Sequence, residues 1–321
     1  MNLIDNPLVI MSNTDSNKRV LCVGLCTLDI VQVCESFPVE DSEKRSLEGY
    51  WQRGGNASNN CSVLSELGIE CEFLGTLSKK CYLQFLIEDF NSFSINISNC
   101  RYYEDADTPL STVILSRNTG SRTILHTNPN LPELTVEDFK KVNLECYKWI
   151  HFQGQNVKEV RKMMEMITTY NSKADVGQTI VISLEIEKVR PEIEILAALA
   201  DVIFFGKDYA MSCNYSNMLD TVREMKSTCK PGAIIICAWG EHGAAASDSK
   251  GNVVSSPSYP PPRIIDSLGA GDTFCASVIS SLINNQSLQE SIILGCKIAG
   301  AKIGIKGYRG LKSLYENMKE C

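Results

Sequence analysis

Short apolar runs and helical runs alternate along most of this chain, and few architectures accept that rhythm. "RVLCVGL", "CEFLG", "WIHFQG", "TIVISLEI", "DVIFFG" and "AIIICAWG" are apolar runs of strand length. Between them lie "NASNNCSVLSELG", "CYLQFLIEDFNSF", "NVKEVRKMMEMITTYN", "RPEIEILAALA" and "SLQESIILGCKIAGAKIG", which read as helices. Strands apolar throughout are buried on both faces, so the pattern predicts an α/β fold, a mostly parallel central sheet flanked by helices. Gly68 reads as a helix stop, Asn156 as an N-cap, Pro191 as a first-turn residue, and Ser287 with Glu290 as a capping box.

Two segments break the rhythm. "LDIVQVCESFPVEDSEKRSLEGYWQR" is polar and β-rich, without helical period. "STVILSRNTGSRTILHT" alternates apolar residues around Asn118-Thr119-Gly120-Ser121, a hairpin signal. Both predict a small β-sheet projecting as a lid from about residues 29–53 and 108–128. The alternative is a pair of antiparallel edges of the main sheet. Residues 1–17 read as a disordered polar tail and residues 18–321 as the folded unit.

The chain's 321 residues suffice for one large α/β domain or two smaller ones. A net charge of −7 without a basic patch argues against a nucleic-acid partner. No apolar run reaches a membrane span, and the start lacks the pattern of a secretory signal, so a cytoplasmic location is expected. The 14 cysteines fall in apolar runs without a C-x-x-C pair, which predicts reduced thiols and no zinc site. His126, His151 and His242 lack metal-ligand spacing.

The chemistry concentrates in "DSLGAGDTFCASVISSL", from Asp266 to Leu282. "RIID" before the turn reads as a strand and "DTFCASVISSLI" as a helix. Gly269, Ala270 and Gly271 then form a turn at a helix N-terminus, where unpaired N–H groups and the helix dipole attract an anion. The turn lacks the Lys-Ser/Thr ending of a P-loop. Asp272 is either a cap-region acid or a general base for a hydroxyl attacking the phosphate held there. In "WQRGGNASNN", Gly54 and Gly55 permit close backbone approach, and Asn56 and Asn59 share a helix face. Paired amides suit a polyhydroxylated ligand; plain N-capping is the simpler alternative. Asp29, past the first strand, is a sugar-gripping acid or a solvated loop residue. Arg122, just after the hairpin turn, reaches a transferring phosphate or is an exposed strand residue.

"GGNASNN" with "LSELG", followed later by "DSLGAGDTF", resembles the carbohydrate kinase family that includes ribokinase, fructokinases and adenosine kinase. "SRTIL", "KWIHFQG", "CAWGEHGA" and "PPPRIIDSLGAGDTF" extend the resemblance from about Arg19 to Gly307, notably to members that phosphorylate fructose. It implies a ribokinase-like body with a β lid, lids clasped in a homodimer, and transfer from ATP to O1 of D-fructose, giving fructose 1-phosphate. By the same resemblance Asp272 is the base, with Gly269, Ala270 and Gly271 as the anion hole. Asp29, Gly55, Asn56 and Asn59 fall at sugar-binding positions, and Asp41 at a lid acid that reaches the partner subunit's sugar. Arg122 falls at the ATP phosphates; Lys207 and Gly240, Glu241, His242 and Gly243 fall at the nucleotide. ATP implies Mg²⁺, and K⁺ is carried by family analogy alone. The family's Asn-x-x-Glu magnesium motif is absent, with "GKDYA" in its place, which leaves Glu185, Glu187 and Asp208 as candidates to hold the metal through water. Two alternatives are the same chemistry on another sugar or a nucleoside, and a non-catalytic sugar-binding protein on this scaffold.

Overall fold

The structure is a computed structural model that describes residues 18–319, apart from residue 176. The tail expected at 1–17 lies outside the described residues. The strands are β1 (Arg19–Val23), β2 (Thr27–Cys34), β3 (Glu48–Gly54), β4 (Cys71–Leu74), β5 (Thr76–Ser78), β6 (Arg101–Tyr103), β7 (Leu110–Ser116), β8 (Arg122–Thr127), β9 (Tyr147–Gln153), β10 (Val181–Ile186), β11 (Val202–Gly206), β12 (Ile234–Ala238), β13 (Ala244–Ser247) and β14 (Val253–Ser256). The helices are α1 (Asn56–Glu66), α2 (Leu83–Ser92), α3 (Val136–Phe139), α4 (Val157–Asn171), α5 (Glu194–Ala197), α6 (Lys207–Ser212), α7 (Met218–Glu224), α8 (Ala270–Ile283), α9 (Leu288–Ile303) and α10 (Leu311–Lys319).

Eight strands form the main sheet in the order β14-β13-β12-β11-β10-β9-β1-β4. It is parallel from β4 to β12 and antiparallel at β13 and β14. The alternation along each strand sorts side chains to two faces. Val20, Cys22, Ile234 and Ile236 join a core with α1, α8 and α9 residues such as Cys61, Ala276 and Ile298. Their neighbours Leu21, Val23, Ile235 and Cys237 join the opposite core, with Met163 and Met164 of α4 and Leu196 of α5. Strand order reverses at β1, which lies between β4 and β9. Ligands of open α/β sheets bind beyond the carboxyl ends of strands at such a reversal.

A second sheet, β3-β2-β7-β8, takes up both segments that break the alternation. Its inner face carries Val31, Val113 and Leu115, packed on Leu268 just ahead of α8. Gly120, at φ 67, turns the hairpin between β7 and β8.

Three local expectations are corrected. "RIID" forms no strand; Ile265 and Asp266 donate their amides to the Ile303 carbonyl, outside any ladder. Asn156 is the N-cap residue of α4, as expected, but it is left-handed and its side chain donates to the Leu134 carbonyl instead of capping the helix amides. Pro191 lies ahead of α5, which shrinks to Glu194–Ala197. Ser287 and Glu290 do form the capping box of α9. The described cysteines are free thiols, and no helix among the described residues is long and apolar enough to cross a membrane.

Candidate active site

Gly24 and Leu25 leave β1 beside Gln153, the last residue of β9. Gln153 Oε1 accepts from the Leu25 amide (3.0 Å) and the Ala57 amide (3.4 Å), tying the strand end to the start of α1. Gly55 is the N-cap of α1 at φ 94, and a Cβ there would meet the Leu25 carbonyl oxygen at 2.2 Å. Only glycine fits that backbone and that gap.

Asn56 and Asn59 sit a turn apart on α1 but serve different acids. Asn59 Nδ2 donates to Asp272 Oδ2 at 2.7 Å. Asn56 Nδ2 donates to Glu185 Oε1 and to Glu187 Oε2, each at 3.2 Å. Neither asparagine caps α1, so the simpler reading of that pair does not hold. Asn60, which carried no signal of its own in the sequence, donates to the Asp272 carbonyl at 3.0 Å and fixes α8 against α1.

Gly269 is the N-cap of α8, at φ 73 and ψ 15. The Thr273 amide and hydroxyl both return to the Gly269 carbonyl. Among the described contacts the amides of Ala270, Gly271 and Asp272 find no acceptor in the chain. A Cβ on Gly271 would meet nothing within 4 Å, whereas one on Gly269 would strike Tyr308 Oη at 1.9 Å. The turn is therefore closed below and open above, with unpaired donors at the positive end of a helix. Asp272 accepts none of these amides. Its carboxylate is 7% exposed and held by Asn59, so the capping alternative fails. Burial pushes its pKa up to about 7; the Asn59 hydrogen bond opposes that rise, Glu187 adds to it, and Arg122 draws it back. Desolvation outweighs the stabilising partners, leaving a proton acceptor poised near neutrality.

The second sheet closes the site from the other side. Asp29 lies within β2, 5% exposed, accepting from Thr27 Oγ1 at 2.9 Å, which excludes a solvated loop acid. Burial raises its pKa against the hydrogen bonds of Thr27 and Ser111. Register places Arg122 opposite Leu115 and Ile124 opposite Val113, so Arg122 belongs to the inner face of the sheet and its charge acts on Asp272. Ser267 Oγ donates to the Gly120 carbonyl at 3.0 Å, joining the hairpin tip to the turn before α8.

The remaining sequence candidates make no hydrogen bond or ion pair with Asp272 among the described contacts. Lys207 opens α6 and pairs with Glu241 at 3.0 Å. Gly240, Glu241 and His242 form a 3₁₀ turn, and Gly243 follows at φ 91 with its Cβ position filled by the Ser256 carbonyl. Asp41 is exposed at φ 55, and no hydrogen bond or ion pair ties it to the Asp29–Asn59–Asp272 group. Asp208 is exposed on α6 and makes no bond to Glu185 or Glu187. A cavity of about 250 Å³ lies beyond β1 and β9, walled by Leu25, His126, Asn128, Gln153 and Arg190 but not by Asp272.

Glu185 is buried at the end of β10, and its Oε2 has no hydrogen-bond partner among the described residues. Burial, then Asp272 and Glu187, raise its pKa well above the carboxylate range. Sequence reasoning missed Lys302, Asp266 and Tyr308. Lys302 is fully buried and donates to the Asp266 carbonyl (2.9 Å) and Oδ2 (2.8 Å) beneath the turn. The available signal was its place in α9, four residues after Ile298 on the buried face.

The chain matches the model of the pfkB family carbohydrate kinases over residues 17–312. It is 43% identical over 294 residues to ketohexokinase of Mus musculus, covering 92% of this chain and 99% of that protein. Its fold matches ribokinase from Giardia lamblia with a TM-score of 0.78 at 14% identity, over 94% of this chain and 99% of that one. It matches Arabidopsis thaliana ribokinase complexed with ribose and ATP with a TM-score of 0.73 at 15% identity, over 92% and 98%. A ribokinase fold, an open turn of unpaired amides and a buried acid beside it thus meet in one chain, which belongs to the pfkB family of carbohydrate kinases and transfers phosphate to a sugar hydroxyl.

Proposed function

We propose that this kinase phosphorylates D-fructose at O1, with ATP as donor and Asp272 as general base. The observation that carries the reading is the Asp272 carboxylate, bonded to Asn59 and free of its own helix amides, beside the unpaired donors at Ala270 and Gly271. The similarity to a mouse protein named for ketohexoses favours fructose over ribose or a nucleoside.

In this reading Asp29, Asn56 and Asn59, with the Gly55 backbone, hold the sugar hydroxyls. Asp272 takes the O1 proton as that oxygen attacks the γ-phosphorus. The bond from the γ-phosphorus to the bridging oxygen breaks, and ADP leaves with that oxygen's charge. The amides of the Gly269–Gly271 turn receive the negative charge on the transferring group, and Arg122 draws it toward the sugar. Lys207 and the Gly240–Gly243 turn receive the nucleotide.

Glu185 fits a role at magnesium, because its buried Oε2 lacks a partner and Glu187 lies beside it on Asn56. No group of three or more metal-ligating side chains converges among the described residues. Mg²⁺ commonly keeps its waters and takes one or two carboxylates plus phosphates, neutralising phosphate charge. Glu185 and Glu187 would hold it so, with Asp208, two residues past the Gly206 that abuts Glu187, as the third candidate.

The outer row of the second sheet supports a homodimer through the lid. Trp51, Ile30, Thr112 and Leu125 lie side by side across its four strands, with Trp51 51% and Leu125 63% exposed. Asp41, without a hydrogen bond or ion pair among the described residues, would then reach the sugar of the partner subunit. Free thiols throughout the core support a reducing compartment such as the cytoplasm.

The test follows ADP release with fructose, ribose and adenosine, using Asp272→Asn as control. Fructose should turn over best, and the variant should lose about 10³-fold in kcat while keeping sugar binding. Faster turnover of ribose or adenosine would reject the substrate, and an active Asp272→Asn enzyme would reject the base.

A further inference from the structure

Lys302 is the one lysine among the fully buried large side chains of the described residues. A buried ammonium is costly, and a buried ion pair seldom repays its desolvation in stability. Its connections point elsewhere than the core. Lys302 Nζ grips both the carbonyl and Oδ2 of Asp266. Asp266 Oδ1 accepts the Leu268 amide at 2.9 Å, and Oδ2 accepts the Gly307 amide at 3.0 Å. One carboxylate therefore fixes the chain entering the anion turn and the loop that follows α9. From that loop Tyr308 rises against Gly269, with the Lys302 ammonium 5.4 Å from the Tyr308 ring centroid. Between Asp266 and Leu268, Ser267 holds the Gly120 carbonyl of the Arg122 hairpin. Two routes thus run from one ammonium to the turn, and a third to Arg122.

We propose that Lys302 is a positioning residue for phosphoryl transfer: clamped on Asp266, it sets the Gly269–Gly271 amides and the Arg122 hairpin in register with Asp272. This rests on the kinase reading of the site. Lys302 touches no reacting atom and acts through the backbone it holds. Misplacing reacting groups by an ångström costs about 10²-fold in rate. Loss of the clamp should therefore fall on kcat rather than on sugar affinity.

The experiment compares the full chain with Lys302→Met, with Lys302→Met/Asp266→Asn, which removes both buried charges, and with Lys302→Ala assayed with and without methylammonium. Melting temperature, the fructose dissociation constant, kcat and KM are measured for each. The double variant should stay folded, bind fructose with unchanged affinity and lose about 10²-fold in kcat. Methylammonium should restore part of the lost kcat of Lys302→Ala, saturably, and tetramethylammonium should not. A folded double variant with parental kcat, or one changed only in KM, would overturn the proposal. So would failure of both Lys302→Met and the double variant to fold, because the pair would then serve the fold alone. Asp272→Asn runs alongside. If that variant turns over, the base reading falls whatever Lys302 does. If it is dead while the Lys302 variants match the parent, only the positioning role falls.

Discussion

The two sheets of this protein are made from similar residues and treated in opposite ways. The eight-stranded sheet is covered on both faces, and Leu21, Ile150, Leu184 and Ile236 are wholly buried. The four-stranded sheet is covered on one. Val31 and Val113 are wholly buried against the body, while on the outer row Trp51 and Leu125 are more than half exposed. The body satisfies itself. The small sheet is sufficient only on the face that meets the site. The residues of the proposed chemistry divide along the same line: Asp272, Asn59 and Glu185 come from the covered side, and Asp29 and Arg122 from the open one.

The sharpest way to break this comparison is to cut equal side chains from each sheet. Leu184→Ala, in β10, should cost about 3 kcal/mol in denaturant unfolding, through lost burial and the cavity left behind. Leu125→Ala, on the outer row, should cost less than about 0.5 kcal/mol. Equal costs would mean that the small sheet is as closed as the body. A substitution between the sheets sharpens it further. Gly271→Ala has open space and no left-handed backbone, so melting should hold or improve, yet the methyl would crowd the bound anion and kcat should drop about 10²-fold. Gly269→Ala, which meets Tyr308, should instead unfold more easily.

The next effect is on pH. With its pKa raised to about 7, Asp272 must lose its proton to act, so kcat/KM for fructose should fall tenfold per unit below that point. Stability moves the other way. A carboxylate whose folded pKa exceeds its unfolded value disfavours the fold while ionised, so this group's penalty is complete above about 7 and fades as acid is added. Asp272→Asn should therefore melt higher than the parent above neutrality while being far less active. A flat activity profile from pH 6 to 8 would remove Asp272 as the titrating base. The smallest effect on folding is expected of Leu125→Asp. Its melting should be near parental, but sedimentation should show the dimer weakened if the outer row is the contact.

The body was legible because its signals are local and redundant. Apolar strands, helical spacing, Gly68 and the Ser287–Glu290 box all specify the same alternation. "RIID" misled because its apolar residues are strand-like by type, while their backbone partner is a single carbonyl, Ile303, supplied from far along the chain. Asn56 and Asn59 were legible as a pair on one helix face; their separate acids were not, since Glu185 and Asp272 arrive from different elements. Lys302 stayed hidden for a related reason. A lysine in a helix's last turn reads as a dipole partner for solvent, and only the packing of α9 beneath the turn makes it internal.

Trp51 carries one more consequence. Of the three tryptophans, Trp149 and Trp239 are 0% and 6% exposed, while Trp51 stands 51% open on the outer row, its edge against Tyr82 and Phe85. The long-wavelength part of the protein's ultraviolet emission therefore comes from a single indole. Any second chain laid over that row should shift the emission toward the blue, making assembly visible without a label.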